Sequence, residues 1–533
     1  MTATVTRDLA RAPTRGLARA ATLGLSVALA GACLFAFVGL NAEGYWTDEL
    51  FTLFLVNHHG GLAEVWRRAL TDTHPPLYYF LLYGWGQAFG LSERSLRALS
   101  AIFCVGAVLV FAGGTRRTFS LNARLFAAAC GAASPFWFIQ SQNVRNYALC
   151  LLISAALATL AIQARVAVRA GGRTPLWILV GLVLLGAAGA FSHFYAFLAT
   201  GILFAFLILT LNDWRLRLGL VVGGLAILAG ELAYMRVLLH ATQQNTHDMW
   251  FRADAGFFAA ETFGALKGLL APAALIGVLA LAAAAFWPRR ERAITRLSPD
   301  AGWSVWLGAA MVGGVIVAGI AISLLFAPSY SNMNLLIAGP YAWPALAALA
   351  DLGAGRATGR WRGLALAVPP AALVLQLVSQ AERWAPRGEP WRETAALVLQ
   401  QDACAGQPIP VLLPARFGPP TPFFRTLARH DFYGFYFRGQ DQRLAVYREA
   451  ELVDPAQNPT LKPRVAGPGC PVVAWAVHDI NRPQAQALAD RLALAGGARP
   501  GAVRPVVFET WRPVWGYAKR IQAGFVFLRT DAR

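Results

Sequence analysis

Along the first 380 residues, long apolar runs alternate with short polar segments. Crossing a bilayer takes about 17–25 apolar residues in a helix. The candidate runs are Ala20–Leu40, Ala98–Gly114, Ala123–Ile139, Tyr147–Ala164, Leu176–Phe191, Phe194–Leu211, Leu218–Leu239, Phe263–Trp287, Trp303–Phe326, Leu335–Leu349 and Leu364–Val378. Several are rich in Gly and Ala, which lets helices approach closely in lipid. A further apolar stretch, His74–Gly90, would make a twelfth span and invert every later loop; its Tyr and Trp content reads instead as an interfacial or re-entrant helix. From about Arg383 the pattern changes. Short β-like runs (Pro410–Pro414, Pro471–Val477, Gly524–Leu528) alternate with amphipathic helical stretches (Arg392–Gln400, Arg482–Leu494), as in a small α/β domain. The expected organisation is a transmembrane domain over 1–382, with a long first external loop at 41–97, and an α/β domain over 383–533.

Composition agrees with the pattern. Apolar residues make up 56% of the chain and charged residues 14%, against about 25% charged in a soluble domain. The chain reads as an α-helical polytopic membrane protein of about eleven spans, with interfacial helices in its first external loop. Net charge is +19, and topology accounts for most of it. Taking Arg7, Arg11, Arg15 and Arg19 as cytoplasmic puts Arg116–Arg117–Arg124, Arg165–Arg169–Arg173, Arg215–Arg217, Arg289–Arg290–Arg292–Arg296 and Arg356–Arg360–Arg362 on the same side. The C-terminal domain then lies outside, and no nucleic-acid partner is called for. Ala30–Gly31–Ala32 resembles a signal cleavage site, but the run exceeds a usual h-region and is read as a retained span. Cys404 and Cys470 each sit beside a candidate strand in the external domain and are expected to form a disulfide. No CxxC, HExxH or internal repeat is present.

Polar chemistry concentrates on the external face. Asp48 and Glu49, in Tyr45–Trp46–Thr47–Asp48–Glu49, follow the first span directly. Such a pair can act as a general base on a hydroxyl or hold a cation, or it can simply cap the next helix. His74, after Asp72–Thr73, opens the aromatic stretch either as a site residue or as a polar helix start. Arg145, within Ser141–Gln142–Asn143–Val144–Arg145–Asn146–Tyr147, can bind an anionic group such as a lipid phosphate or snorkel to headgroups. His193 lies at a helix junction, where a structural role is common. Glu231, inside a span, either serves function or neutralises Arg236.

Together, Trp-x-Asp-Glu, His-Pro-Pro-Leu-Tyr-Tyr, Arg94–Arg97–Ala98–Leu99–Ser100, Ser-Pro-Phe followed by Ser-Gln-x-x-Arg-x-Tyr-Ala-Leu, and Ser-His-Phe-Tyr-Ala resemble the GT-C superfamily. These polytopic glycosyltransferases use polyprenyl-phosphate sugars, and include the dolichyl-phosphate-mannose protein mannosyltransferases and the bacterial aminoarabinose and galacturonic acid transferases of lipopolysaccharide. The resemblance covers roughly residues 20–350. It implies an inverting transfer from a polyprenyl-phosphate sugar to a glycolipid, lipopolysaccharide or envelope glycan at the outer face of the bacterial inner membrane, among membrane lipids. Asp48 would be the base with Glu49 beside it; His74, Tyr78, Gln142, Asn143, Arg145, Tyr147 and His193 would contact substrate. Two departures stand out. Asn143 replaces a carboxylate common in relatives, so no metal or other cofactor is specified. Ser331–Leu336 replaces an Arg-Tyr-Leu-like element, leaving Arg145, Arg94, Arg97 or Lys267 to hold phosphate. The alternatives are a non-catalytic lipid- or glycan-binding protein of the same fold, or a transporter; transport predicts paired repeats, which the sequence lacks.

Overall fold

The computed structural model describes residues 2–533 apart from 71, 73, 243–251, 287–298, 358, 380–387, 403, 405, 414–431, 438, 468–470, 478–479, 513–519 and 531–533. The Arg289–Arg296 cluster, Arg383, Pro414 and Cys470 lie outside the described residues.

Helices dominate the first 380 residues: α1 (Thr2–Phe35), α2 (Thr47–Val56), α3 (Gly61–Ala69), α4 (Leu77–Phe89), α5 (Glu93–Gly114), α6 (Leu121–Ala132), α7 (Pro135–Ser141), α8 (Tyr147–Arg169), α9 (Leu176–Ala190), α10 (Phe194–Thr210), α11 (Trp214–Thr242), α12 (Ala255–Leu269), α13 (Pro272–Phe286), α14 (Pro299–Leu325), α15 (Asn332–Leu336), α16 (Trp343–Arg356) and α17 (Gly359–Ser379). Among the described residues, six helices are long and apolar enough to cross a membrane, within α1, α5, α8, α11, α14 and α17. The α12–α13 pair, bent by 79°, adds a seventh if counted as one span, and α9 and α10 are shorter apolar helices.

Three runs expected to be continuous are broken, each at a proline. Ala123–Ile139 breaks at Ser134, whose Oγ accepts the Trp137 N–H (3.2 Å), with Pro135 opening α7. Phe263–Trp287 breaks before Pro272, and Leu335–Leu349 passes through a 3-10 turn at Gly339–Ala342. Proline lacks the N–H that would continue a helix and disfavours helical geometry in the residue before it. By contrast, α17 carries Pro369 and Pro370 without a break. The 13-residue α4 is about 20 Å long at 1.5 Å per residue, well short of a hydrocarbon core of about 30 Å.

Small residues set the helix spacing. A Cβ at Gly353 of α16 would stand 2.8 Å from the Leu281 carbonyl oxygen of α13. Backbone cannot yield as a side-chain tip can, so Gly353→Ala is expected to destabilise the fold by about 1–3 kcal/mol. A lower melting temperature in detergent is the check.

The polar ends of the helices sort onto two ends of the bundle. At one end Arg169 and Arg165 pair with Asp300, Thr174 N–H donates to Asp213 (2.8 Å), and Ser120 N–H donates to Asp351 (3.1 Å). These loops carry the arginine clusters from which the orientation was read. At the other end, Gln142 donates to the Phe35 and Val38 carbonyls, Asn146 to Ser192 O, and Leu77 N–H to Phe191 O. The loop containing Asp48 belongs to this second end.

Beyond α18 (Trp391–Gln401) lies a five-stranded mixed sheet of β1 (Ile409–Leu412), β2 (Leu444–Tyr447), β3 (Val472–Val477), β4 (Val503–Arg512) and β5 (Arg520–Arg529), in the order β2-β1-β3-β5-β4. β1 runs parallel to β2 and β3; β5 is antiparallel to β3 and β4. All six residues of β3 are buried: Trp475 packs towards Trp391 of α18, while Val473, Ala474 and Ala476 join the core that includes Leu488 and Leu492 of the helix Arg482–Ala495. A strand covered on both faces loses its alternation, which explains the unbroken apolar run Pro471–Val477. Cys404 is disulfide-bonded, whereas Cys33, Cys104, Cys130 and Cys150 are free.

Candidate active site

The site grows from the first turn of α2. Trp46 precedes the helix in extended backbone, so Thr47, Asp48 and Glu49 occupy its first three positions. Carboxylates are favoured there by the N–H groups of the first turn and by the helix dipole. The two acids nevertheless meet different surroundings.

Glu49 is buried. Its oxygens accept from Arg97 Nε (2.9 Å) and Nη2 (2.5 Å), from Val144 N–H (2.8 Å) and from Trp46 N–H (3.3 Å). Arg97 also donates from Nη1 to Leu40 O and Glu43 O, and from Nη2 to Gly44 O, each at 2.9 Å. A guanidinium has five N–H donors, and all five are used within the protein. Arg97, expected as one of four residues that could hold phosphate, and Glu49, expected beside the base, are engaged with each other and with backbone, and the pair ties α5 to the loop that leads into α2.

Asp48 points the other way, its side chain 46% exposed. Arg145 lies beside it. Nη2 is 4.0 Å from Asp48 Oδ2, and Nη1 donates to Asp48 O (3.3 Å) and Thr52 Oγ1 (3.2 Å). Arg145 Nε is buried without a hydrogen-bond partner among the described residues. The two arginines thus differ in kind: Arg97 is saturated at short distances, while Arg145 keeps donor capacity. Burial opposes the charge on Arg145, but Asp48, Tyr79, Asp72 and Tyr147 outweigh it and hold the guanidinium more firmly protonated than usual.

Behind Arg145 lies a polar layer drawn from several helix ends. Tyr79 of α4 donates its hydroxyl to Asp72, and His74 Nδ1 lies 3.3 Å from the same carboxylate. The His74 and His193 rings are 5.2 Å apart, and Tyr147 lies 5.3 Å from His193. Tyr147 donates to Asn334 Oδ1 (3.2 Å), so α15, within the Ser331–Leu336 stretch, reaches the cluster through an amide. His193 caps α10, its Nδ1 accepting Tyr195 N–H (3.0 Å). Burial, with His74 and Arg145 nearby, pushes its pKa far down and keeps it neutral.

In the sequence Asp72 stands only as the residue two before His74. Nothing in its flanking residues marks it as buried, yet it is. Burial opposes its ionisation, but His74, Arg145 and Tyr79 outweigh that and hold the carboxyl well below its ordinary range. A depressed folded-state pKa contributes stability above the unfolded-state value of about 3.9, lost as pH falls through the folded-state value. Asp72→Asn is expected to lower the melting temperature at pH 7 and to narrow the gap from wild type below about pH 4, as a pH series of melting curves would show.

Other expected contacts are used differently. Tyr78 faces Ser100 of α5 at 3.3 Å, and Gln142 holds the end of α1. Asn143 Oδ1 accepts from Trp46 Nε1 (2.9 Å). Arg94 is exposed on the first turn of α5. Lys267 of α12 lies with its ammonium 4.1 Å from the centre of the Phe263 ring. Glu231 is buried in α11 with neither oxygen hydrogen-bonded, and no ion pair with Arg236 forms among the described residues. Also among the described residues, no group of three His, Cys, Asp or Glu stands close enough to hold a metal ion.

No protein-family model and no curated protein matches the chain. Solved structures similar to it include ArnT from Cupriavidus metallidurans in the apo state, with a TM-score of 0.47 and 15% identity over 95% of this chain and 98% of that one. The arabinofuranosyltransferase AftD from Mycobacteria gives a TM-score of 0.45 and 14% identity over 96% of this chain and 40% of that one. The Archaeoglobus fulgidus oligosaccharyltransferase gives 0.44 and 13%, over 92% and 72%. At such identities residue roles do not transfer, and the chemistry rests on the side chains of this chain.

Proposed function

We propose that this protein is a membrane-embedded inverting glycosyltransferase that moves a sugar from a polyprenyl-phosphate carrier to a glycolipid, lipopolysaccharide or envelope-glycan hydroxyl. The observation that carries the reading is the pairing of a half-exposed carboxylate, Asp48, with a buried arginine, Arg145, whose Nε has no partner among the described residues. Direct displacement needs a base within hydrogen-bond reach of the acceptor hydroxyl and a cation for the departing phosphate. Asp48 takes the hydroxyl proton as the acceptor oxygen bonds to the anomeric carbon. The bond from that carbon to the carrier's phosphate oxygen breaks, and the lipid phosphate leaves against Arg145. A guanidinium suits this role because it stays charged and can grip two phosphate oxygens at once.

The position fits the substrates. The helix end bearing Asp48 lies opposite the arginine-rich end, and by the positive-inside rule it faces out of the cytoplasm. On this reading the N-terminus is cytoplasmic, the site and the sheet beyond α18 are periplasmic, and the protein spans a bacterial inner membrane. A lipid carrier keeps its tail in the bilayer while its phosphate reaches Arg145. Mass spectra of envelope lipids and glycans, with and without this protein, test the proposal. A sugar increment lost with the protein is expected; identical spectra would count against any transferase.

A further inference from the structure

The loop that aims Asp48 is gripped from a distant part of the chain. Glu389, 3% exposed, sits just before α18. Its Oε2 accepts three donors: the Thr47 backbone N–H (3.0 Å), the Thr47 hydroxyl, and Trp391 Nε1 (2.7 Å). Thr47 is the first residue of α2 and is separated from Glu389 by 342 positions. Neighbouring contacts reinforce the grip. Gly388 N–H donates to Glu43 Oε2 (2.5 Å), and Arg392 donates to the carbonyls of Asn41 (3.2 Å) and Ala42 (2.9 Å). Tyr45 N–H donates to the Tyr436 hydroxyl (2.5 Å), which itself donates to Glu93 (3.0 Å).

We propose that Glu389 is a positioning residue for Asp48, supplied by the sheet-bearing C-terminal region to fix the first turn of α2. The inference rests on the reading of Asp48 as the base. Its physical content is specific. An unsatisfied N–H at a helix start is met by an anion, and this anion is anchored through Trp391, which packs on Trp475, Phe432 and Tyr433 at 5.2–5.8 Å. Thr47 adds a second bond to the same oxygen, so the turn that carries Asp48 is held in both direction and rotation. Arg145 belongs to the segment between α7 and α8 and takes no bond from Glu389. Losing Glu389 should therefore loosen the base more than the phosphate site, which meets α2 through Arg145 Nη1 at Asp48 O and at Thr52 one turn further on.

Steady-state transfer by the purified full chain tests this, with polyprenyl-phosphate sugar from the membrane extract as donor. Glu389→Gln is expected to lower kcat by about 10- to 100-fold, the scale on which a misplaced catalytic group acts, with donor KM within about twofold because Arg145 keeps its anchor at Thr52. Thr47→Val should lower kcat in the same direction, and Thr47→Ser should recover most of that loss. The double variant should be no slower than Glu389→Gln alone, since both act through one contact. If Glu389→Gln does not fold, the Thr47 pair decides: an unchanged kcat in Thr47→Val overturns the inference. It is equally overturned if Glu389→Gln keeps wild-type kcat while Asp48→Asn is inactive, an outcome that leaves the base reading intact. If Asp48→Asn itself transfers at the wild-type rate, the base reading fails and this inference falls with it.

Discussion

Asp48→Asn is expected to reduce transfer by about 100- to 10,000-fold, the range that general-base catalysis contributes, with the protein still folded. The fold is expected to survive because the Asp48 carboxylate, 46% exposed, makes no short hydrogen bond among the described residues, where its ion-pair partner is Arg145 at 4.0 Å. Asparagine has nearly the same shape and leaves the backbone of the first α2 turn unchanged, including the Asp48 carbonyl that accepts from Arg145. What it lacks is a lone pair basic enough to take a proton from a hydroxyl. The loss should therefore fall on kcat, with donor KM little changed. Transfer assays on matched amounts of folded wild-type and variant protein provide the comparison.

The second large effect concerns stability. Arg97→Met should destabilise the protein by about 3–5 kcal/mol, because it strands the Glu49 carboxylate in a buried site with its main cationic partner gone. It also leaves the Leu40, Glu43 and Gly44 carbonyls without the donors that now hold the loop. A buried pair is costly to break but much less so to replace whole. The double variant Arg97→Met/Glu49→Leu is thus expected to regain part of the loss, although the three carbonyls stay unmet. Melting temperature in detergent gives both values. Arg97→Met melting like wild type would mean that the pair carries little of the fold.

These two predictions separate adjacent residues that the sequence could not. Asp48 and Glu49 lie one position apart in Thr47–Val56, and nearly every residue of that helix is buried. Both helix faces are apolar, so the pattern gave no side on which to place either carboxylate. Only the partner decides: Arg97, 48 positions away, reaches Glu49 and leaves Asp48 to Arg145. The meeting of Asp48 with Arg145 was more accessible, because loop charges sort the helix ends and both residues fall at the same end. The proline breaks at Pro135, Pro272 and Gly339–Pro340 were also written in the sequence. Apolarity over a long window masked them, because a broken helix inside a bundle is as apolar as a continuous one. In the C-terminal region the buried strand β3 was visible as an apolar run. The four-residue β2 was too short to show a period, and β4 alternates too weakly to stand out. Asp72 and Glu389 gave no local sign at all, since burial of a single acid depends on donors brought from other elements.

The claim at the centre is that Asp48 and Arg145 serve one transfer, Asp48 on the acceptor's incoming hydroxyl and Arg145 on the donor's departing phosphate. Binding of polyprenyl phosphate to the solubilised wild type, Asp48→Asn and Arg145→Met measures it most directly. The account predicts wild-type affinity in Asp48→Asn and at least a tenfold loss in Arg145→Met, as expected for removing hydrogen bonds of about 1.5–3 kcal/mol to a charged group. Equal affinity in all three proteins would contradict it.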